Sequence, residues 1–169
     1  MDRARTDVDT KAHLSLEEAA QFLLGECRTV LPGLQALFGF QLIVVFNDTF
    51  DQKLSPFQQD LHLAAIGLAA LAIALTMTPA AYHRQKHPFE ITAKFMHVSG
   101  RVLRWSMPPL AIAVTLDFYL IATLVVDGYL APALACGIFL VFVVLWFVLP
   151  RSARLERLLL GASRKSTPL

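Results

Sequence analysis

The residue with the most chemistry in this sequence is Asp117, which stands in an apolar run from Met107 to Val126. A carboxylate inside hydrocarbon costs about 3 kcal/mol or more to insert, so it must face protein or water and find a partner. Two roles suit it: a titrating carboxyl in a proton or sodium relay, or a protonated acid that ties two helices together. Arg104 lies about 20 Å away along a helix at 1.5 Å per residue, too far to neutralise it within one element. Gln41 is the expected partner, because an amide can donate to a carboxylate or accept from its protonated form. Asp48 is seven residues beyond Gln41 and is expected on the same helical face, with Asp51 at the outer mouth. Asp60, His62 and Asp127 could complete an acidic vestibule, although solvation by water and headgroups is the simpler reading of Asp51, Asp60 and Asp127. Gln35 is expected to face the bundle and bond a neighbouring helix.

Other chemistry is thin. His83 and His87 have the spacing of a metal pair, but Arg84 and Lys86 lie between them, Pro88 follows and no third ligand is near. Cys27 and Cys136 are expected at different depths and read as packing residues. No hydrolase elbow, zinc-protease pair, P-loop or dinucleotide fingerprint occurs, so neither an enzyme nor a cofactor nor a metal is expected.

The elements that must hold Asp117 follow from composition. The chain has 169 residues, 56% hydrophobic and 17% charged, with a mean hydropathy of +0.55. A soluble domain of this size would leave such apolar runs uncovered, whereas lipid covers them. The net charge of +2 is too small to suggest nucleic acid as a partner. Four stretches reach the roughly 20 residues that a bilayer core of about 30 Å requires: residues 30–50, 61–82, 107–126 and 129–149. Leu63 to Leu75 carries no polar side chain, and a row of Ala65, Ala69 and Ala72, with Gly67 off the row, would let another helix approach closely. Before the first span, Ser15 and Glu18 form a capping box, and Leu16, Ala20, Leu23, Leu24, Cys27 and Leu31 recur at helical spacing. Residues 14–31 therefore read as an interfacial amphipathic helix, and Pro32 either kinks a continuous helix or starts a new one. The expected fold is all-α, a four-helix transmembrane bundle (residues 30–150) with that N-terminal interfacial helix. A polar tail, residues 1–13, lacks the apolar core of a cleavable signal and should be retained. A basic tail, residues 151–169, follows Pro150 and suits anionic lipid.

Charge sets the orientation. With four spans and both termini on one side, every Lys and Arg of the 15 except Lys53 falls on that side, so both termini are expected in the cytoplasm. An internal repeat adds to this. A shift of 76 residues lays Arg28 on Arg104, Pro32 on Pro108, Gln41 on Asp117, Asp51 on Asp127 and Pro56 on Pro132. It describes two parallel hairpins that put Gln41 and Asp117 at equal depth; chance matching is the competing explanation.

Three motifs carry a resemblance: ECRTVLPGLQALFGFQLIVVF from Glu26, TPAAYHR from Thr78 to Arg84, and WFVLPRSAR closing the fourth span. With Glu26, Arg28, Gly33, Gln35, Leu37 and Phe38 in place, the chain resembles a bacterial family of small four-span membrane proteins of unknown function, whose members often bear the automatic label sodium:proton antiporter. That resemblance implies the four-span fold and an inner-boundary motif of Glu26, Arg28, Gly33, His83 and Arg84. Two functions are expected from the residues: a proton or monovalent-cation pathway built by an oligomer or with a partner membrane protein, or a non-transporting module that binds lipid or a partner protein through its basic inner face. The orientation is directly testable. A single cysteine at Ser55 should react in whole cells with an impermeant maleimide and one at Ser163 should not; the reverse pattern overturns the topology.

Overall fold

A computed structural model describes residues 15–86 and 91–152, apart from the side chains of Asp48, Thr49 and Asp51. His87 and the expected tails, 1–13 and all but the start of 151–169, lie outside the described residues. Among the described residues there are five α-helices: α1 (Leu16–Val45), α2 (Asp48–Lys53), α3 (Pro56–Lys86), α4 (Ala93–Val125) and α5 (Leu130–Val143), which continues as a π-helical segment, Val144–Val148, and a 3-10 turn, Leu149–Arg151. Four of these elements are long and apolar enough to cross a membrane, the fourth counted from Leu130 to Arg151.

The first helix begins where its capping box dictates: the Ser15 hydroxyl accepts from the Glu18 amide, and the Glu18 carboxylate accepts from the Ser15 amide at 2.9 Å. It then runs through Pro32 without a break. The interfacial helix and the first span are thus one element of 30 residues, about 45 Å long, and its first third overhangs a 30 Å hydrocarbon layer. α3 starts with a second box that sequence reading overlooked. Ser55 and Gln58 bond each other's backbone and side-chain groups ahead of Pro56, the proline occupying the first helical position, where no N–H is needed. α4 begins fourteen residues before the expected third span, capped by Thr92.

Short connections fold the helices into antiparallel neighbours. α1 packs on α3, α3 packs most extensively on α4, and α5 packs on α4. α1 and α4 therefore run the same way, with residues 41 and 117 at one level and residues 27 and 106 at another. One end of the bundle holds the α1–α3 and α4–α5 turns and is called here the hairpin end; the other holds the described chain termini and is called the terminal end. The interior is small and polar: Ala65, Ala69, Ala72, Ala111 and Ala113 are buried with Gln41, His62, Thr76, Ser99 and Ser106. The exterior is large and apolar, with Phe40, Ile43, Phe46, Phe57, Leu63, Ile121 and Val125 exposed. That reversal of the soluble pattern is what a protein solvated by lipid requires, since hydrocarbon outside is no worse for Leu than a core. Cys27 is buried, whereas Cys136, expected in packing, is exposed on α5.

The alanine row gives a stability test. Leu in place of Ala69, which is 1% exposed, should cost about 1–3 kcal/mol through overpacking and lower the midpoint of thermal unfolding in detergent. Leu at the exposed Gly67 of the same helix should leave the midpoint unchanged or raise it.

Candidate functional site

Asp117, Gln41 and His62 meet where α4, α1 and α3 face one another. Gln41 Nε2 donates to Asp117 Oδ2 at 2.6 Å, the pairing that the shift of 76 places at equal depth. His62 Nδ1 stands 3.6 Å from Asp117 Oδ1. Its Nε2 lies 2.9 Å from the backbone carbonyl of Gln41, which can only accept, so Nε2 carries a hydrogen and donates it. That bond orients the ring and leaves Nδ1 as the ring atom that faces Asp117. Asp117 Oδ1 and Gln41 Oε1 are buried and make no hydrogen bond of their own.

Each neighbour has a local reason for its place. The last turn but one of α1 carries Gln41 on the buried row Ala20, Cys27, Leu34 and Gln41, a seven-residue period that faces the other helices throughout. His62 is one and a half turns into α3, and its ring meets the edge of Phe50 from α2 at a centroid distance of 5.4 Å. α2 thus folds a buried aromatic over the imidazole, and the buried Leu54 follows it. Gln58 Nε2 donates to Thr123 Oγ1 at 3.0 Å and fastens the start of α3 to the end of α4. Beside the cluster a pocket of about 210 Å³ opens between α1 and α4, lined by Phe40, Val44, Leu120, Ile121 and Leu124, with Asp117 and His62 among its walls.

Magnitudes decide what the pair can do. At 3.6 Å two unit charges attract by about 5 kcal/mol at an effective dielectric constant of 20. Removing each ion from water costs several kcal/mol even after relaxation. Desolvation and attraction are therefore of similar size for an acid and a base held this close together inside the bundle.

Several sequence expectations change. Asp117 lies eight residues, about 12 Å, from the hairpin end of α4, a helix whose other end extends well beyond the expected third span. Asp48 does not share a helix with Gln41, since α1 ends at Val45 and Asp48 opens α2; its side chain is among those not described. Gln35 is exposed rather than bundle-facing, because it follows the buried Leu34 by one residue and so points about 100° away from the buried row. His62 was placed with the vestibule acids but is only 5% exposed. Its signal was its position early in α3, opposite the end of α1, which a helical-hairpin register would have revealed. Asp60 and Asp127 are exposed.

At the terminal end, Arg28, His83 and Arg84 of the inner-boundary motif line one cleft between α1 and α3 with Cys27 and Thr76. Glu26 and Gly33 are exposed, and a side chain at Gly33 would meet nothing within 4 Å. Among the described residues no group of three or more His, Cys, Asp or Glu could hold a metal ion.

The fold and the cluster define a multi-pass helical membrane protein with an acid, an imidazole and an amide joined inside the bundle. The chain belongs to DUF6328, a family of unknown function, which it matches over residues 14–150. Neither a curated protein nor a solved structure matches it.

Two substitutions separate the buried glutamine from the exposed one. Gln41→Leu removes the donor to Asp117 and should destabilise the protein in detergent by about 1–3 kcal/mol, the cost of a buried polar group left unsatisfied. Gln35→Leu should leave the midpoint unchanged, and a loss equal to that of Gln41→Leu would contradict the placement of both.

Proposed function

We propose that this protein is a non-enzymatic carrier of protons or monovalent cations across the cytoplasmic membrane, with Asp117 and His62 as the loading site and both termini in the cytoplasm. The observation that carries the proposal is the approach of His62 Nδ1 to Asp117 Oδ1 inside the bundle, beside a pocket. A structural tie needs only the Gln41 bond. An imidazole whose other nitrogen is already committed to a backbone carbonyl turns its remaining nitrogen toward the carboxyl, an arrangement that suits a loading site and that a tie does not need. In the proposed cycle the pair takes up a proton through the hairpin end and releases it past Ala65, Ala69 and Ala113 toward the buried Ser106 and Thr76 when those helices shift. A monovalent cation would replace the shared proton against the two unbonded oxygens, Asp117 Oδ1 and Gln41 Oε1.

The carrier is proposed to assemble as an oligomer in the bilayer, which the exposed amide of Gln35 supports. It lies about 15 Å from the hairpin end of α1, at a depth where a polar group does better against a second chain than against lipid.

Purified protein in liposomes tests the reading. A pH or sodium gradient should drive flux in the parent, and Asp117→Asn should abolish it while keeping the fold, because Asn retains a donor and an acceptor but not the titration. His62→Gln should reduce flux at least tenfold. Flux in Asp117→Asn equal to the parent's, or none in a folded parent under either gradient, would sink the proposal and leave the cluster as a helix tie.

A further inference from the structure

A second place in the fold gathers charge where a membrane protein meets the lipid surface. Arg101, Arg104 and Trp105 of α4 and Trp146 and Arg151 of the fourth element line a cleft of about 650 Å³ together with Pro150. Arg104 is 21 residues before the end of α4, about 32 Å along the helix, and Arg151 is 21 residues after the start of α5, so both arginines stand about one hydrocarbon thickness from the hairpin end. That is headgroup depth at the terminal end. Tryptophan favours the same level, where its ring lies in the interface and its N–H reaches polar groups.

The three guanidinium groups are held but not neutralised. Arg104 Nε donates to the Gly100 carbonyl at 3.3 Å and Arg151 Nη1 to the Phe147 carbonyl at 2.9 Å. Arg101 Nη2 donates to His97 Nε2 at 3.0 Å, the imidazole nitrogen accepting because guanidinium cannot. Among the described residues none of the three pairs with a carboxylate, so each keeps donors to offer. The π-helical segment shapes the second wall. It widens the turn that carries Trp146, whose ring rests on Phe142 at 4.8 Å, and it delivers the Phe147 carbonyl that anchors Arg151.

We infer that this cleft binds the headgroup of an anionic phospholipid, with the phosphate between Arg101, Arg104 and Arg151 and the acyl chains running down the exposed apolar faces of α4 and α5. Guanidinium forks suit phosphate oxygens better than a zwitterionic headgroup, whose own ammonium they repel. A basic pocket between two spanning helices at interface depth is the setting in which phospholipid headgroups are retained rather than merely attracted. The inference is independent of the ion pathway and stands or falls separately.

The chain's two tryptophans, Trp105 and Trp146, both line this cleft, so their fluorescence reports on it without a label. The full-length protein is reconstituted into phosphatidylcholine vesicles containing brominated-chain phosphatidylglycerol or brominated-chain phosphatidylcholine, and the quenching gives the relative affinity of the two lipids at the cleft. The expected result is a preference for phosphatidylglycerol of at least about tenfold, falling about fivefold in Arg104→Gln and in Arg151→Gln. Arg84→Gln, on the separate cleft between α1 and α3, should keep the parent's preference. Quenching by brominated phosphatidylcholine in every variant verifies insertion. Equal affinities in the parent, or an equal loss in Arg84→Gln, would overturn the site in favour of diffuse surface attraction. Loss of the preference when inorganic phosphate replaces chloride at matched ionic strength would assign the cleft to a soluble anion and overturn the lipid.

Discussion

Everything in this bundle is arranged around the need to keep one carboxyl group out of hydrocarbon. Asp117 can stay inside only because two other helices each bring it a polar atom, Gln41 from α1 and His62 from α3. That requirement fixes the register of all three helices at once, because sliding any of them by one residue would turn its polar side chain about 100° away. The bond from His62 to the Gln41 carbonyl closes the triangle, since it ties the two helices that approach Asp117 to each other as well. The fourth element shares none of this network and packs on α4 alone among the long helices to any extent.

The chemistry of the cluster is a consequence of its geometry rather than of any unusual residue. A lone buried acid has one way to become neutral. An acid facing an imidazole and an amide has a polar atom on each side of it, which offsets part of the cost of its desolvation. Phe50 and Leu54 cover the imidazole from the hairpin end, while the pocket beside Asp117 is walled by Phe40, Val44 and Ile121. The carboxyl and the imidazole therefore sit among apolar side chains, where each polar contact counts for more than it would in water.

What the sequence disclosed and what it concealed divide along physical lines. Lipid solvation writes itself into composition, so the four spanning elements and the all-α class could be read from apolar runs alone. The pairing of Gln41 with Asp117 was legible because both are rare polar residues in such runs and share a place in the repeat. Helix ends were hidden where no cap signal was read: beyond the headgroups a basic helix carries no hydropathy signal, so the first turns of α4 went unread, whereas the Ser15 capping box marked the start of α1. Faces were read well on α3, where Ala65, Ala69 and Ala72 marked the buried row, and poorly on α1, where Gln35 and Gln41 look alike until the seven-residue period through Cys27 and Leu34 separates them. His62 was lost to its neighbours, because Asp60 beside it suggested a wet loop end.

The seam of alanines between the polar cluster and the terminal end bears on speed. A gate made of Phe or Leu can open by swinging one side chain to another rotamer, in picoseconds to nanoseconds. Alanine has no rotamer to change. Ala65, Ala69, Ala72 and Ala113 are almost wholly buried, and they can part only if whole helices move against each other. Collective displacements of that kind take microseconds to milliseconds. The core is accordingly built for discrete, slow rearrangement of whole helices rather than for the quick flicker of single side chains.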